Sequence, residues 1–167
     1  MRFGVAVVAV GLSVTVLTAP PVAAQTEFGA FVGHQMDESF SGSVRFGVEA
    51  RYHLRNSPLQ LQPAVSDQPG TGGFPATLRV DVNLLYQTAA AGDWPVEPYL
   101  GVGGGYDHVG GEFSANKLVA NFVAGFRLKL KGATAITPFV NSEYSFAKQF
   151  TNEYHIEIGV LYSPPHR

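Results

Sequence analysis

The sequence predicts an all-β protein, an eight-stranded antiparallel up-and-down transmembrane β-barrel. Three observations carry this expectation. Apolar and polar residues alternate with a period of two through most of the chain, which gives strands with one apolar and one polar face. Charged residues make up only 14% of 167 while apolar residues make up 46%, too little polar material to coat a soluble barrel. Tight turns and longer connections alternate between the strands, as in a barrel whose two rims face different environments. The same composition excludes other classes. An aromatic content of 12% with so little charge excludes disorder. A net charge of −2 with no basic block leaves no electrostatic footprint for nucleic acid. With no Cys, disulfide scaffolds, thiolate metal sites and cysteine nucleophiles are all removed.

The chain opens on Met1-Arg2, an apolar run from Phe3 to Thr18, then Ala19-Pro20-Pro21 and the small residues Val22-Ala23-Ala24. This is the layout of a secretory signal peptide, expected to span 1–24. A membrane-spanning helix needs about 20 apolar residues, and the run stops short of that at two prolines. Cleavage after Ala24 leaves residues 25–167 as the barrel domain, and without Cys no lipid anchor can be attached.

Within that domain the alternation is clearest from Val44 to Leu54, where every even position is apolar and every odd one is charged, glycine or histidine. Leu78–Tyr86, Leu118–Leu130 and Tyr154–Tyr162 repeat it. Strands are therefore expected at 26–35, 43–54, 58–66, 76–88, 95–107, 117–130, 134–146 and 152–163. In the first, Phe28 and Phe31 cannot share a face. Arg55-Asn56-Ser57, Ala90–Asp93 and Lys131-Gly132-Ala133 read as tight turns. Met36–Ser41, Asp67–Phe74, His108–Asn116 and Ala147–Thr151 read as longer loops. A weak repeat, apolar-x-Pro-x-apolar, recurs around Pro63, Pro98 and Pro138. Proline cannot donate to a ladder, so these positions are expected to be bulges or weakened pairings near one rim.

Which face points inward decides between a soluble carrier and a membrane barrel. The polar faces carry Gln60, Gln62, Asn83, Gly101, Gly103, Gly105, Asn121, Gly125, Asn141 and Gly159 with isolated charges, a tightly packed lining and not a solvated Lys/Glu surface. Aromatic residues gather near strand ends, with Tyr52, Tyr86, Trp94 and Tyr162 on the turn side and Phe40, Phe74, Tyr106, Phe146 and Tyr154 on the loop side. Two such girdles mark membrane–water interfaces. The lumen is then expected to hold Arg45, Glu49, Arg51, Arg79, Asp81, Glu97, Arg127, Lys129, Glu143 and Glu157, five of each sign. Hairpin geometry sets Glu97 level with Arg127 and Lys129, and Glu143 opposite His155. Eight strands enclose room only for side chains, so no open pore is expected.

The segment Val96-Glu97-Pro98-Tyr99-Leu100-Gly101-Val102-Gly103-Gly104-Gly105-Tyr106, followed by paired alternating strands, resembles the small eight-stranded outer-membrane β-barrel proteins of Gram-negative bacteria. The resemblance covers most of the domain and implies residence in the cell outer membrane, contact with outer-membrane lipid and both termini in the periplasm. Such proteins usually end on an aromatic residue read by the assembly machinery, whereas here Tyr162 is followed by Ser163-Pro164-Pro165-His166-Arg167.

No catalytic, cofactor-binding or metal-ligating residue is assigned. Gly101–Gly111 is glycine-rich, but no Lys-Ser or Lys-Thr follows and no helix starts there, so it does not read as a phosphate loop. His155, Glu157 and Glu143 suggest an acid–base set, yet no Ser stands beside them at a recognisable spacing and all three point into the barrel. The histidines are scattered without ligand spacing. Asp37, Glu38, Asp67, Asp107 and Glu112 read as solvated loop acids. The expected role is structural or surface-interacting, with a surface partner met through the longer loops. A lipid-modifying outer-membrane enzyme and a soluble periplasmic lipocalin-like carrier are the alternatives. N-terminal sequencing of exported protein should start at Gln25, and a start at Met1 would contradict the leader.

Overall fold

The computed structural model describes residues 25–36, 42–70, 76–88, 94–110, 114–130, 135–147 and 152–165. The expected leader, 1–24, lies outside them. The described residues form eight strands: β1 (Thr26–Met36), β2 (Gly42–His53), β3 (Leu59–Gln68), β4 (Thr77–Gln87), β5 (Val96–Val109), β6 (Ala115–Leu128), β7 (Ile136–Ala147) and β8 (Glu153–Tyr162). Each boundary falls within two residues of the sequence expectation. Neighbouring strands pair antiparallel in chain order, and β1 pairs β8 from Phe28↔Tyr162 to Met36↔Tyr154, which closes the barrel. Closure leaves no sheet edge, the condition for strands to cross hydrocarbon without stranded backbone groups.

The faces fall as the alternation requires. On β2, Val44, Phe46 and Val48 point outward, Val48 with 59% exposure, while Arg45, Glu49 and Arg51 are buried in the lumen. Phe28 faces out and Phe31 in. This arrangement is the reverse of a soluble carrier, which keeps its apolar face inside. Among the girdle residues, Tyr86, Trp94, Tyr106, Phe146, Tyr154 and Tyr162 are exposed and Tyr52 is half-buried on the outer face. Phe40 and Phe74 lie outside the described residues.

Every ladder keeps one constant register, so the three prolines are not bulges. They weaken pairing instead, always toward the preceding strand. Pairing of β2 with β3 lapses between Glu49↔Ala64 and Tyr52↔Leu61, around Pro63. The β4–β5 ladder stops at Gln87↔Tyr99 beside Pro98, and the β6–β7 ladder at Arg127↔Phe139 beside Pro138. Toward the following strand the pairs Pro63↔Val82, Pro98↔Phe126 and Pro138↔Val160 are kept. Where Pro98 ends the ladder, its carbonyl accepts from Thr88 N and Thr88 Oγ1, both at 3.1 Å. The β2–β3 turn places Asn56 at φ 55°, a left-handed conformation that Asn tolerates better than most residues.

One expectation fails. The connections at the rim opposite the termini are 37–41, 69–76, 110–114 and 148–152, and those at the other rim are 54–58, 88–95 and 129–135. Both rims therefore carry connections of five to eight residues. The supposed long loops shrink because β5 runs on to Val109, β6 starts at Ala115 and β3 runs on to Gln68.

The close fit of the lumen sets the mutational contrast. Val48→Arg should cost about 2–4 kcal/mol of folding stability, the cost of a cation at mid-bilayer depth. Val48→Leu should be near neutral. Gly47→Ala, although it stays on the lumen face, should also impair folding, because an added Cβ would lie 2.5 Å from both the Phe31 ring and the Val65 carbonyl oxygen. Urea titration of refolded barrels in micelles measures all three.

Candidate functional site

The lumen is where this sequence concentrates its chemistry. Each strand contributes alternate residues to it, and the β5 wall is made of glycines so that β4 side chains fit. A Cβ on Gly105 would meet the Asp81 carboxylate, and one on Gly103 the Asn83 amide. The described glycines of this run up to Gly105 thus stand on a strand that makes room, while Gly111 lies outside the described residues.

The interior is stacked in three tiers. Nearest the termini, Arg127 Nε donates to Glu97 Oε2 at 2.5 Å and Arg127 Nη1 to Glu27 Oε2 at 2.9 Å. Ser163 Oγ donates to Glu27 Oε1 at 2.8 Å, and His53 Nε2 lies 3.1 Å from Glu27 Oε2. In the middle, the Arg51 guanidinium is sandwiched between the rings of Tyr99 (4.6 Å) and Phe139 (4.8 Å). Arg51 Nε donates to Glu49 Oε1 at 2.7 Å and Nη2 to Tyr99 Oη at 3.2 Å. These residues come from β2, β5 and β7, so the group reaches across the lumen.

The outer tier centres on Arg79. Its Nε and Nη2 donate to the two oxygens of Asp107 at 2.5 and 2.8 Å, a bidentate pair. Nη1 reaches Glu143 Oε1 at 3.1 Å and Ser145 Oγ at 3.0 Å, and Nη2 reaches Glu153 Oε2 at 2.7 Å. Lys117 bonds Glu153 and sits 3.2 Å from Asp107 Oδ2. Arg45 Nη2 lies 3.1 Å from Glu157 Oε1, and its Nη1 bonds His155 Nδ1. The cavity bordered by Gln35, Arg45, Ser66, Gln68, Thr77 and Arg79 measures about 10 Å³, room for one water at most.

The structure joins the expected partners. Glu97 pairs with Arg127 in register and Lys129 Nζ is 3.8 Å from it, while Glu143 opposes His155 at 3.2 Å. Three expectations need correction. Lys129 is a rim residue, 73% exposed at its side chain, and does not line the lumen. Asp107 is no solvated loop acid but fully buried, because β5 extends past it. A serine does stand beside the acid–base set: Ser145 Oγ lies 3.2 Å from Glu143 Oε1 and 3.1 Å from Asn121 Oδ1, and its one hydroxyl proton can be donated to either. It is 1% exposed and fully buried in the polar network, so no substrate reaches it as placed. Asp67 is exposed at the end of β3, while Asp37, Glu38 and Glu112 lie outside the described residues.

The reading of the sequence also missed Glu27, Lys117 and Glu153 as lumen groups. With them the described residues place eight carboxylates against five cationic side chains inside, and not five against five. The signal was available for Lys117, which lies within the expected strand 117–130 and continues the inward phase of Asn121 and Val119. Among the described residues no cluster of three or more His, Asp or Glu is arranged to hold a metal ion.

The chain has the fold of the small eight-stranded outer-membrane β-barrels. No family model and no curated protein matches it in sequence. Neisserial surface protein A (NspA) matches in structure with a TM-score of 0.64 at 12% identity, over 83% of this chain and 97% of that one. The N-terminal β-barrel domain of Pseudomonas aeruginosa OprF matches with 0.62 at 12%, over 83% and 98%. Ail, the attachment invasion locus protein of Yersinia pestis, matches with 0.55 at 13%, over 83% and 96%. The outer membrane enzyme PagL shares the fold as well, with 0.51 at 13%, over 83% and 99%. At such identities the likeness is one of fold.

Removing the hub should be severe. Arg79→Ala should cost about 3–5 kcal/mol, because it leaves buried carboxylates uncompensated. Lys129→Ala, at the exposed rim, should cost less than about 1 kcal/mol. Urea unfolding in micelles separates the two, and equal losses would mean the tiers are misassigned.

Proposed function

We propose that this chain is an outer-membrane protein of a Gram-negative bacterium with a structural or surface-interaction role and no open pore, exported by removal of residues 1–24. The observation that carries the reading is the pairing of an outward apolar belt with a lumen closed by ion pairs in three tiers. A barrel built this way is a stable membrane anchor and has no path for solutes. The fold likeness to a Neisserial surface protein and to an attachment invasion locus protein supports the surface-interaction side of the reading. Because the outer connections are short, the contact surface is the rim itself together with those connections.

The likeness to PagL keeps lipid modification as the second reading. Against it stands the burial of the Ser145, Glu143 and His155 group, since an enzyme acting on membrane lipid must present its nucleophile to the lipid. Release of fatty acid from lipid A or phospholipid by the purified barrel would favour the enzyme over the anchor.

Fractionation should place the protein in the outer membrane with heat-dependent migration in detergent gels. Planar bilayers containing it should show no stable single-channel currents. Recovery from the soluble periplasm would overturn the membrane assignment, and steady channels would overturn the closed lumen.

A further inference from the structure

The outward face carries a hollow that the barrel's own side chains leave open. It measures about 360 Å³ and is bordered by Tyr86 and Thr88 at the end of β4, Pro98 and Leu100 of β5, and Ala124 and Gly125 of β6. Register puts Tyr86, Leu100 and Ala124 in one row across the three strands. Tyr86 and Leu100 stand out from the wall, 51% and 56% exposed, whereas Pro98 and Ala124 are short and Gly125 has no side chain. The lining is almost wholly apolar, and the Thr88 hydroxyl at its edge donates to the Pro98 carbonyl at 3.1 Å. An apolar hollow takes up apolar ligands in preference to water.

Depth and charge define the ligand. Tyr86 belongs to the aromatic girdle nearest the termini, so the hollow opens where hydrocarbon meets headgroups. Just beyond it, Lys129 N donates to Pro95 O at 2.7 Å. Pro95 precedes Pro98 by three residues, which sets Lys129 about 10 Å from Pro98 along the strand direction. Lys129 Nζ is 3.8 Å from Glu97, but Glu97 already accepts from Arg127 Nε at 2.5 Å and from Gln87 Nε2 at 3.1 Å. The Lys129 side chain, 73% exposed, is therefore available to an anion outside the barrel. Trp94, exposed beside Pro95, adds an amphipathic ring at the same level. An apolar slot with a cation at its headgroup end matches an anionic phospholipid.

We propose that the hollow is a binding site for one anionic phospholipid, its acyl chain lying over Pro98 and Ala124 and its phosphate on Lys129. The lipid covers the wall where Pro98 ends the β4–β5 ladder at Gln87↔Tyr99. A second copy of the chain would press another apolar belt against the hollow and leave the cation at its mouth unused. The site rests on the outer-membrane reading, since a bilayer is what presents an acyl chain at this depth.

Trp94 is the chain's one tryptophan, so its fluorescence reports the lipid at this site. The full chain would be refolded into phosphatidylcholine vesicles, and quenching by brominated phosphatidylglycerol compared with quenching by brominated phosphatidylcholine. The relative affinity should favour phosphatidylglycerol by about fivefold, the effect of one cation on an anionic lipid. Lys129→Ala should bring the ratio to near one. Ala124→Leu, which keeps the charge and the apolar face but fills the hollow, should do the same. Native mass spectrometry of the wild type released from mixed micelles should retain one phosphatidylglycerol per barrel, and it supplies the second reading if Ala124→Leu does not fold. A wild-type ratio near one, an Ala124→Leu ratio equal to the wild type's, or a lipid-free dimer in the mass spectrum overturns the site. A failed membrane reading looks different: no barrel with heat-dependent migration inserts into the vesicles, whereas a failed site leaves an inserted barrel without lipid preference.

Discussion

An eight-stranded barrel encloses a space only wide enough for side chains, and this constraint governs the rest of the structure. The outward face is given over to apolar residues, so the polar residues that alternate with them are forced into that narrow space. There they cannot be hydrated freely, and a buried charge without a partner is heavily penalised. The interior must consequently solve its own electrostatics. It does so with arginines, whose planar forks serve several carboxylates at once. Arg79 alone engages Asp107, Glu143 and Glu153 from three other strands.

The same constraint explains where small residues stand. Glycines on β5 leave space for Asp81, Asn83 and Leu85 of β4. Elsewhere the lumen is filled by bulk: Phe31, Ala64, Phe139 and Leu161 form one apolar cluster, and Leu85, Tyr99 and Val123 another. Arg51 lies against Tyr99 and Phe139, one ring from each of these clusters, and its charge is held by Glu49. Packing and ion pairing are thus interleaved along the axis.

Most of the fold was legible because a period of two is a strong signal wherever one face is apolar. The Val44–Leu54 alternation alone fixed the faces of β2, and hairpin counting about a connection centred near 111–112 set Glu97 against Arg127. Strand ends were harder to read. Asp107, His108 and Asn116 look like loop residues by type, yet pairing carries β5 and β6 through them to Val109↔Ala115. With the strands expected to stop at Asp107 and Lys117, neither residue was followed into the lumen, and the outer connections looked long. Ser145 was missed although its place beside Glu143 follows from i, i+2 spacing on β7; its contact with Arg79 of β4 crosses the lumen, and no local spacing records that. The prolines were placed at weak points correctly, but only the register distinguishes a lapsed pairing from a bulge.

The central claim is the direction of the two faces, and the absence of native Cys makes it directly measurable. Single cysteines at positions 43 to 52 of β2 would be spin-labelled in lipid bilayers, and their access to oxygen and to a water-soluble relaxant compared. The account predicts that labels at 44, 46, 48, 50 and 52 are oxygen-accessible and shielded from the water-soluble relaxant, while those at 43, 45, 49 and 51 are immobile and reached by neither. Odd positions open to oxygen, or even positions freely reached from water, would contradict it.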